Sequence, residues 1–246
     1  MLRAQSALTA VVICLLWVVA NRAQTAVALS GVAKDAVGWT VSGVEVSSRD
    51  TNTNRVRKTK TDDTGHFEFR DLPLGEYVVE ASKLRFKPKT ESVTLRDGTN
   101  STRLDLILEL GDISEEITVW GDKPDESPVG PSRRLNRGKV PECSPKAVAA
   151  KQGGIVHIPR KVANVVPLYT KEAYAFGPGG RVQVRGVLAS DGKVKNLRAL
   201  STTDLVFVKP VLDAVSLWEF DPTYLNCMPV ETNLEVIVNF SHAAPR

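Results

Sequence analysis

The chain has 246 residues, 42% hydrophobic and 24% charged, with a formal net charge of +4. That composition suits one or two globular domains and excludes wholesale disorder. The basic excess is spread along the chain without aromatic interleaving, so no nucleic-acid partner is expected.

The amino terminus reads as a targeting segment over 1–28. Arg3 supplies a positive end, and Leu8 to Ala20 is apolar apart from Thr9. A helix of that length rises only ~20 Å, short of the ~30 Å hydrocarbon core, which favours an export signal over a membrane span. Cleavage could follow Ala20, Ala23 or Ala28, and the earlier sites are favoured because the last would cut into the first strand. Cys14 lies inside the apolar run after Ile13, which argues against a lipoprotein. An uncleaved signal would anchor the chain in the inner membrane; otherwise the location is periplasm or cell envelope.

Residues 29–120 carry short runs of period two: Val44 and Val46, Phe67 and Phe69, Tyr77, Val79 and Ala81, Val93 and Leu95, then Leu104, Leu106, Leu108 and Leu110. Gly38, Asp50-Thr51-Asn52, Asp62 to Gly65, Pro73-Leu74-Gly75 and Asp97-Gly98 punctuate them. About seven strands with turns every 8–12 residues predict an antiparallel β-sandwich. Asp62 to Gly65 reads as a turn rather than a calcium loop, because it offers too few oxygens. His66, alternating with Phe67 and Phe69, is expected in solvent.

Residues 121–159 hold Pro124, Pro128, Pro131, Pro141, Pro145 and Pro159 with many charges and no sustained apolar period, which predicts a partly extended linker. Arg133, Arg134, Arg137 and Lys139 form a basic cluster, either solvated or facing an anionic envelope surface. A helical turn is expected over Ala147 to Ala150 and a strand start at Ile155 to Ile158. Without the signal, Cys143 and Cys227 are the only cysteines left, and in an oxidising compartment they are the candidates for one disulfide or remain two free thiols.

The final unit, 160–241 before a tail at 242–246, reads strand, strand, helix, strand. Asp191-Gly192 joins the runs Arg181 to Ala189 and Lys193 to Leu200 as a hairpin. Pro210 fits a first helical turn, after which Val211, Leu212, Val215 and Trp218 recur at helical spacing. Leu234, Val236, Val238 and Phe240 share one face of the last strand. The fold class is therefore mostly β with an α+β part: a seven-stranded sandwich followed by a ββαβ unit.

Two resemblances sharpen this reading. Gly31-Val32-x-x-Asp35, Gly43-Val44-x-Val46 and Thr59-x-Thr61-Asp62-x-x-Gly65-x-Phe67-x-Phe69-x-x-Leu72-Pro73-x-Gly75-x-Tyr77 resemble the carboxypeptidase regulatory-like domain, a transthyretin-like sandwich. Pro167-Leu168-Tyr169, Gly180-x-Val182-x-Val184, Asp191 to Val194, Ala214-Val215-x-x-Trp218-x-Phe220-x-Pro222 and Asn226-x-x-Pro229-Val230 resemble the C-terminal domain of the TonB family of energy transducers. Tyr169-Thr170 and Asn226-Cys227 stand where that family usually has Tyr-Pro and Asn-Gly.

The second resemblance implies binding of an extended segment, from an outer-membrane receptor or another envelope protein, as a strand added beside the last strand, with a role in TonB-dependent transport. The acceptor edge it implies is Glu235, Val236, Ile237, Val238, Asn239 and Phe240. Strand addition needs unpaired backbone N–H and C=O groups there. The alternatives are that this strand is already paired within its own sheet or in a homodimer. A complete transducer would carry a histidine-bearing membrane helix and a proline-rich spacer, whereas here no histidine precedes His66 and a sandwich takes the spacer's place. An exported adaptor is the expectation.

Enzyme activity is not expected. The three histidines lie apart, the serines lack a G-x-S-x-G elbow, and no zinc-ligand spacing occurs. No cofactor or metal is expected. A second function class, docking of the sandwich on envelope glycan or cell-wall polymer, would use exposed aromatic platforms, for which Trp39 and Trp120 are the candidates beside a packing role.

Overall fold

The computed structural model describes residues 26–97, 101–121, 124, 127, 129–177 and 179–241. The expected signal segment up to Thr25, the Gly98 turn position and the tail from His242 lie outside the described residues.

The sandwich begins with β1 (Ala26–Asp35). Cleavage after Ala28 would therefore remove Val27, which is buried opposite Leu72. There follow β2 (Glu45–Asp50), β3 (Val56–Lys60), β4 (His66–Pro73), β5 (Gly75–Ser82), β6 (Lys89–Leu95), β7 (Ser101–Arg103) and β8 (Leu106–Leu108). One sheet runs β3-β2-β5-β6; the other is β4-β1 with β7 and β8 both parallel to β1 along its second edge. Counting β7 and β8 as one interrupted strand gives the seven-stranded sandwich.

At the interruption Val32 N donates to the Asp105 side chain, Oδ1 at 3.1 Å, in place of a backbone carbonyl. A Cβ built on Gly31 would stand 1.8 Å from the Leu104 carbonyl oxygen, so the two backbones meet where no side chain fits. Leu29, Val44, Val46, Phe67, Phe69, Leu72, Tyr77, Val79, Leu106 and Leu108 fill the space between the sheets. Burial of each larger apolar side chain contributes roughly 1.5–3 kcal/mol. The turn at Asp62 to Gly65 reverses the chain, with Asp62 N bonded to His66 O at 2.9 Å, but its flanking strands pass into opposite sheets rather than forming one hairpin ladder. The Asp62 carboxylate accepts from Thr64 N, Thr64 Oγ1 and His66 N, which holds it below the ordinary range. His66 is exposed.

The next strand, β9 (Ile113–Trp120), leaves the sandwich. Residues after it do not form a free linker. β10 (Arg133–Arg134) pairs with β12 (Lys161–Asn164), and α1 (Pro145–Ala150) and β11 (Val156–His157) lie between them. Arg134 and Arg137 both face Glu219, at 2.8 and 3.8 Å, so part of the basic cluster is taken up within the molecule.

The C-terminal unit contains α2 (Lys171–Phe176), β13 (Gly179–Leu188), β14 (Val194–Thr202), a 3-10 turn over Leu205–Phe207, α3 (Val208–Ser216), β15 (Glu219–Phe220), β16 (Thr223–Leu225), β17 (Met228–Val230) and β18 (Thr232–Ser241). The Asp191-Gly192 turn closes the β13–β14 hairpin with Ala189 N bonded to Lys193 O at 2.9 Å. The Asp204 side chain caps the 3-10 turn by accepting from Val206 N at 3.0 Å. α3 then buries Pro210, Val211, Ala214 and Val215 against the sheet.

Three features join the two cores. Val156 and Leu225 belong to the sandwich's hydrophobic cluster, although β11 and β16, which carry them, pair with each other. Asn226, at a left-handed φ of 52°, sends its amide into the sandwich, where Nδ2 donates to Asp35 Oδ2 at 2.6 Å. Asp35 also accepts from Val37 N, Trp39 N and Gly154 N, which satisfies a carboxylate only 1% exposed.

Candidate partner-binding edge

β13 and β18 pair antiparallel without a register break from Gly179↔Ser241 to Leu188↔Thr232. Leu234, Val236, Val238 and Phe240 point into the core beneath α3, and Glu235, Ile237 and Asn239 take the other face, half-buried. Glu235 receives Arg185 at 3.0 Å and an amide hydrogen bond from Gln183, which together hold its carboxyl below the ordinary range.

The expected open edge at Glu235 to Phe240 is not open. β9 lies parallel along it, with Leu234↔Ile113, Val236↔Glu115, Val238↔Ile117, Phe240↔Val119 and Ser241↔Trp120 in register. The four-stranded sheet is ordered β14-β13-β18-β9, so β18 is an interior strand. The physical reason is the cost of leaving a row of backbone donors and acceptors unpaired when a matching strand is tethered nearby. The segment counted with the sandwich over 113–120 supplies that strand.

β9 fits this place on both faces. Val119 is buried in the C-terminal core, and Ile113 and Ile117 pack against it. On the outer face Asn239 Nδ2 donates to Glu116 Oε1 at 2.9 Å, and Asn233 Nδ2 to Asp112 Oδ1 at 3.0 Å. Burial raises the Asp112 carboxyl, but Lys87 at 2.8 Å and Asn233 outweigh it and the net direction is down. The chain leaves β9 through Gly121, whose N–H donates to Ser241 O at 3.0 Å. A Cβ there would meet the Tyr169 ring at 2.9 Å. Tyr169 in turn packs edge-on against Phe240, ring centroids 5.3 Å apart.

Beneath β9 sits a half-buried cation. Lys161 on β12 places Nζ 3.4 Å from the Trp218 ring centroid and 5.7 Å from that of Phe220. Its carboxylate partner is Glu115 of β9, at 3.0 Å. Burial pulls the Lys161 ammonium pKa down, and Glu115 acts in the opposite sense. Trp218 is itself fixed by donating Nε1–H to Val165 O at 2.7 Å.

The other edge of the sheet is of a different kind. The β13–β14 pairing shifts register twice, and Asn196 on β14 has φ 53°. Such bulges blunt an edge against a visiting strand. Cys143 and Cys227 form a disulfide, Cα atoms 5.7 Å apart, beside Asn226. Trp39 is half-buried next to Asp35, whereas Trp120 is 47% exposed at the end of β9.

Sequence reasoning missed Glu115, Lys161 and the Asn226–Asp35 contact. The alternation of Ile113, Glu115, Ile117 and Val119 was the available signal for the first, since it places a carboxylate on an otherwise apolar face.

Comparison with known proteins agrees with this architecture. Residues 28–109 match the carboxypeptidase regulatory-like domain, and residues 165–242 match the Gram-negative bacterial TonB protein C-terminal domain. The chain therefore carries these two domains in that order. β9 lies outside both matched regions. No curated protein matches the chain.

Similar solved structures include 5-hydroxyisourate hydrolase of Klebsiella pneumoniae, at 19% identity over 35% of this chain and 91% of that one, with a TM-score of 0.29. BcpA, the major pilin subunit of Bacillus cereus, is 13% identical over 35% of this chain and 31% of its own, TM-score 0.31. The 3-chlorocatechol 1,2-dioxygenase of Rhodococcus opacus 1CP is 11% identical over 37% and 62%, TM-score 0.32. The chain spans less than half the length of the two pilin proteins it matches, 31% of BcpA and 42% of the group B streptococcus pilus 2b backbone protein. Similarities of this size carry nothing about activity. Among the described residues no helix is long and apolar enough to cross a membrane.

Proposed function

We propose that this chain is a non-catalytic, exported protein of the periplasm that captures an extended segment of an outer-membrane receptor or another envelope protein at β18. The observation that carries this reading is the β9–β18 ladder: the last strand of the TonB-type domain accepts a parallel strand from outside that domain. Backbone bonds provide most of such an attachment, so a foreign segment of similar pattern can replace the chain's own. In the resting chain the edge is self-occupied, and capture proceeds by strand exchange.

A tethered strand acts at an effective concentration on the order of millimolar. A partner segment of equal intrinsic affinity must therefore be presented at a comparable local concentration, as it is when two envelope proteins are held face to face. This makes capture conditional on proximity, a property suited to an adaptor in TonB-dependent transport.

The test is to lock and to loosen β9. Thr118 and Asn239 stand opposite each other, so a Thr118→Cys/Asn239→Cys pair would pin the strand under oxidising conditions. The locked chain should lose capture of receptor-derived extended segments and regain it on selective reduction of the new bridge. Equal capture by the locked chain would show that partners bind elsewhere, including the outer edge of β9. Retention on peptidoglycan or polysaccharide by locked and unlocked chains alike, without segment capture, would favour the glycan-docking class instead.

A further inference from the structure

We infer that Lys161 reads a carboxylate in whatever strand lies on β18, so that the partner segment is recognised by an acidic residue in register with Val236. This rests on the strand-exchange reading above and adds a chemical requirement to it.

Lys161 is an unusual group to find beneath a strand. Its side chain is 16% exposed, and its ammonium faces Trp218 and Phe220, each 1% exposed. β12 holds it there, because Lys161 is paired with Phe220 of β15. Aromatic faces attract a cation but do not replace its lost hydration, so a desolvated ammonium needs an anion as well. Glu115 is the anion it has, at 3.0 Å. When β9 departs, that carboxylate departs with it.

A replacement strand without an acid at this position would leave the half-buried ammonium against rings alone, without its counter-charge. One with an acid restores the pair. The neighbouring inward positions, Ile113, Ile117 and Val119, meet the apolar core. The preferred segment is thus about eight residues long, extended and parallel to β18, reading apolar-x-acid-x-apolar-x-apolar. The intervening positions face outward, where Ser114, Glu116, Thr118 and Trp120 are exposed and tolerance is greater.

The experiment uses the full-length chain with β9 weakened by Val119→Ala. Two fluorescent peptides are compared by anisotropy: one reproducing residues 113–120, the other with glutamine in place of its third residue. The glutamate peptide is expected to bind about tenfold tighter, the range of a hydrogen bond between charged groups. Adding Lys161→Met should bring the two affinities together, and Lys161→Arg should keep them apart. Independently of any peptide, Glu115→Gln alone should speed hydrogen exchange at Ile117 to Val119 while the sandwich amides stay protected. Equal affinities for the two peptides in the Val119→Ala chain overturn the carboxylate requirement and leave strand exchange standing. Failure of both peptides to bind overturns strand exchange itself, and this requirement with it.

Discussion

Asn226 donates its side-chain amide to Asp35 across a join of two domains, 2.6 Å from Nδ2 to Oδ2 and 191 residues apart in sequence. Both side chains are almost wholly buried. The contact therefore fixes where the sandwich ends relative to the C-terminal unit, and with it the line along which β9 emerges.

Replacing Asn226 with Ala should lower stability by about 1–3 kcal/mol, because Asp35 Oδ2 keeps only Gly154 N, at 3.3 Å, in a site closed to water. Urea unfolding followed by tryptophan fluorescence measures the loss. An unfolding free energy within error of the parent would mean that water or rearrangement satisfies the carboxylate.

The Cys143–Cys227 bridge closes a loop over a separation of 84 residues. Chain-entropy reasoning puts its contribution at about 4.5 kcal/mol, within a range of roughly 0–5. The Cys143→Ser/Cys227→Ser double variant should melt lower than the parent, and added reductant should shift the parent but not the variant.

Val119→Ala removes two carbons from a residue 4% exposed in the C-terminal core. At ~0.8 kcal/mol per buried carbon plus a cavity term, the expected cost is about 2 kcal/mol. Because the loss falls on β9, hydrogen exchange should quicken at 113–120 before it does in β1 to β8, and capture of a partner segment should strengthen. Weaker capture would contradict competition between the two strands.

Acid should weaken the C-terminal sheet as a whole. The Glu235 carboxyl is held below its ordinary value, about 4.3, by Arg185 and Gln183. Its stabilising contribution is present in full above the unfolded value and is lost as the pH falls through the lower folded value. Asp112, also lowered, acts in the same direction. Melting temperature should fall as the pH drops below about 4, and Glu235→Gln should flatten part of that fall.

Much of the molecule is legible in the sequence where a pattern decides between faces of one element. Phe67 and Phe69 go inward and His66 outward, Asp191-Gly192 turns the β13–β14 hairpin, and Leu234, Val236, Val238 and Phe240 share the buried side of β18. Such alternation records that a face is covered, not what covers it. Ile113 to Trp120 alternates as well as any sandwich strand, so its pattern could not reveal a parallel partner more than a hundred residues later. For the same reason the edge at Glu235 to Phe240 reads as open when only its own domain is considered. The bridge between Cys143 and Cys227 is likewise a matter of distance, which no spacing encodes.

The parallel sense of β9 against β18 has a mechanical consequence. β9 is attached to the sandwich at its Ile113 end, while β18 runs toward the carboxy terminus from Ser241, and these lie at opposite ends of the ladder. Tension between the sandwich and the carboxy terminus would enter by one strand and leave by the other, straining all eight paired positions together instead of peeling them one at a time. A pull in that direction meets a clamp, whereas a pull on Trp120 through the following chain would open the ladder like a zip.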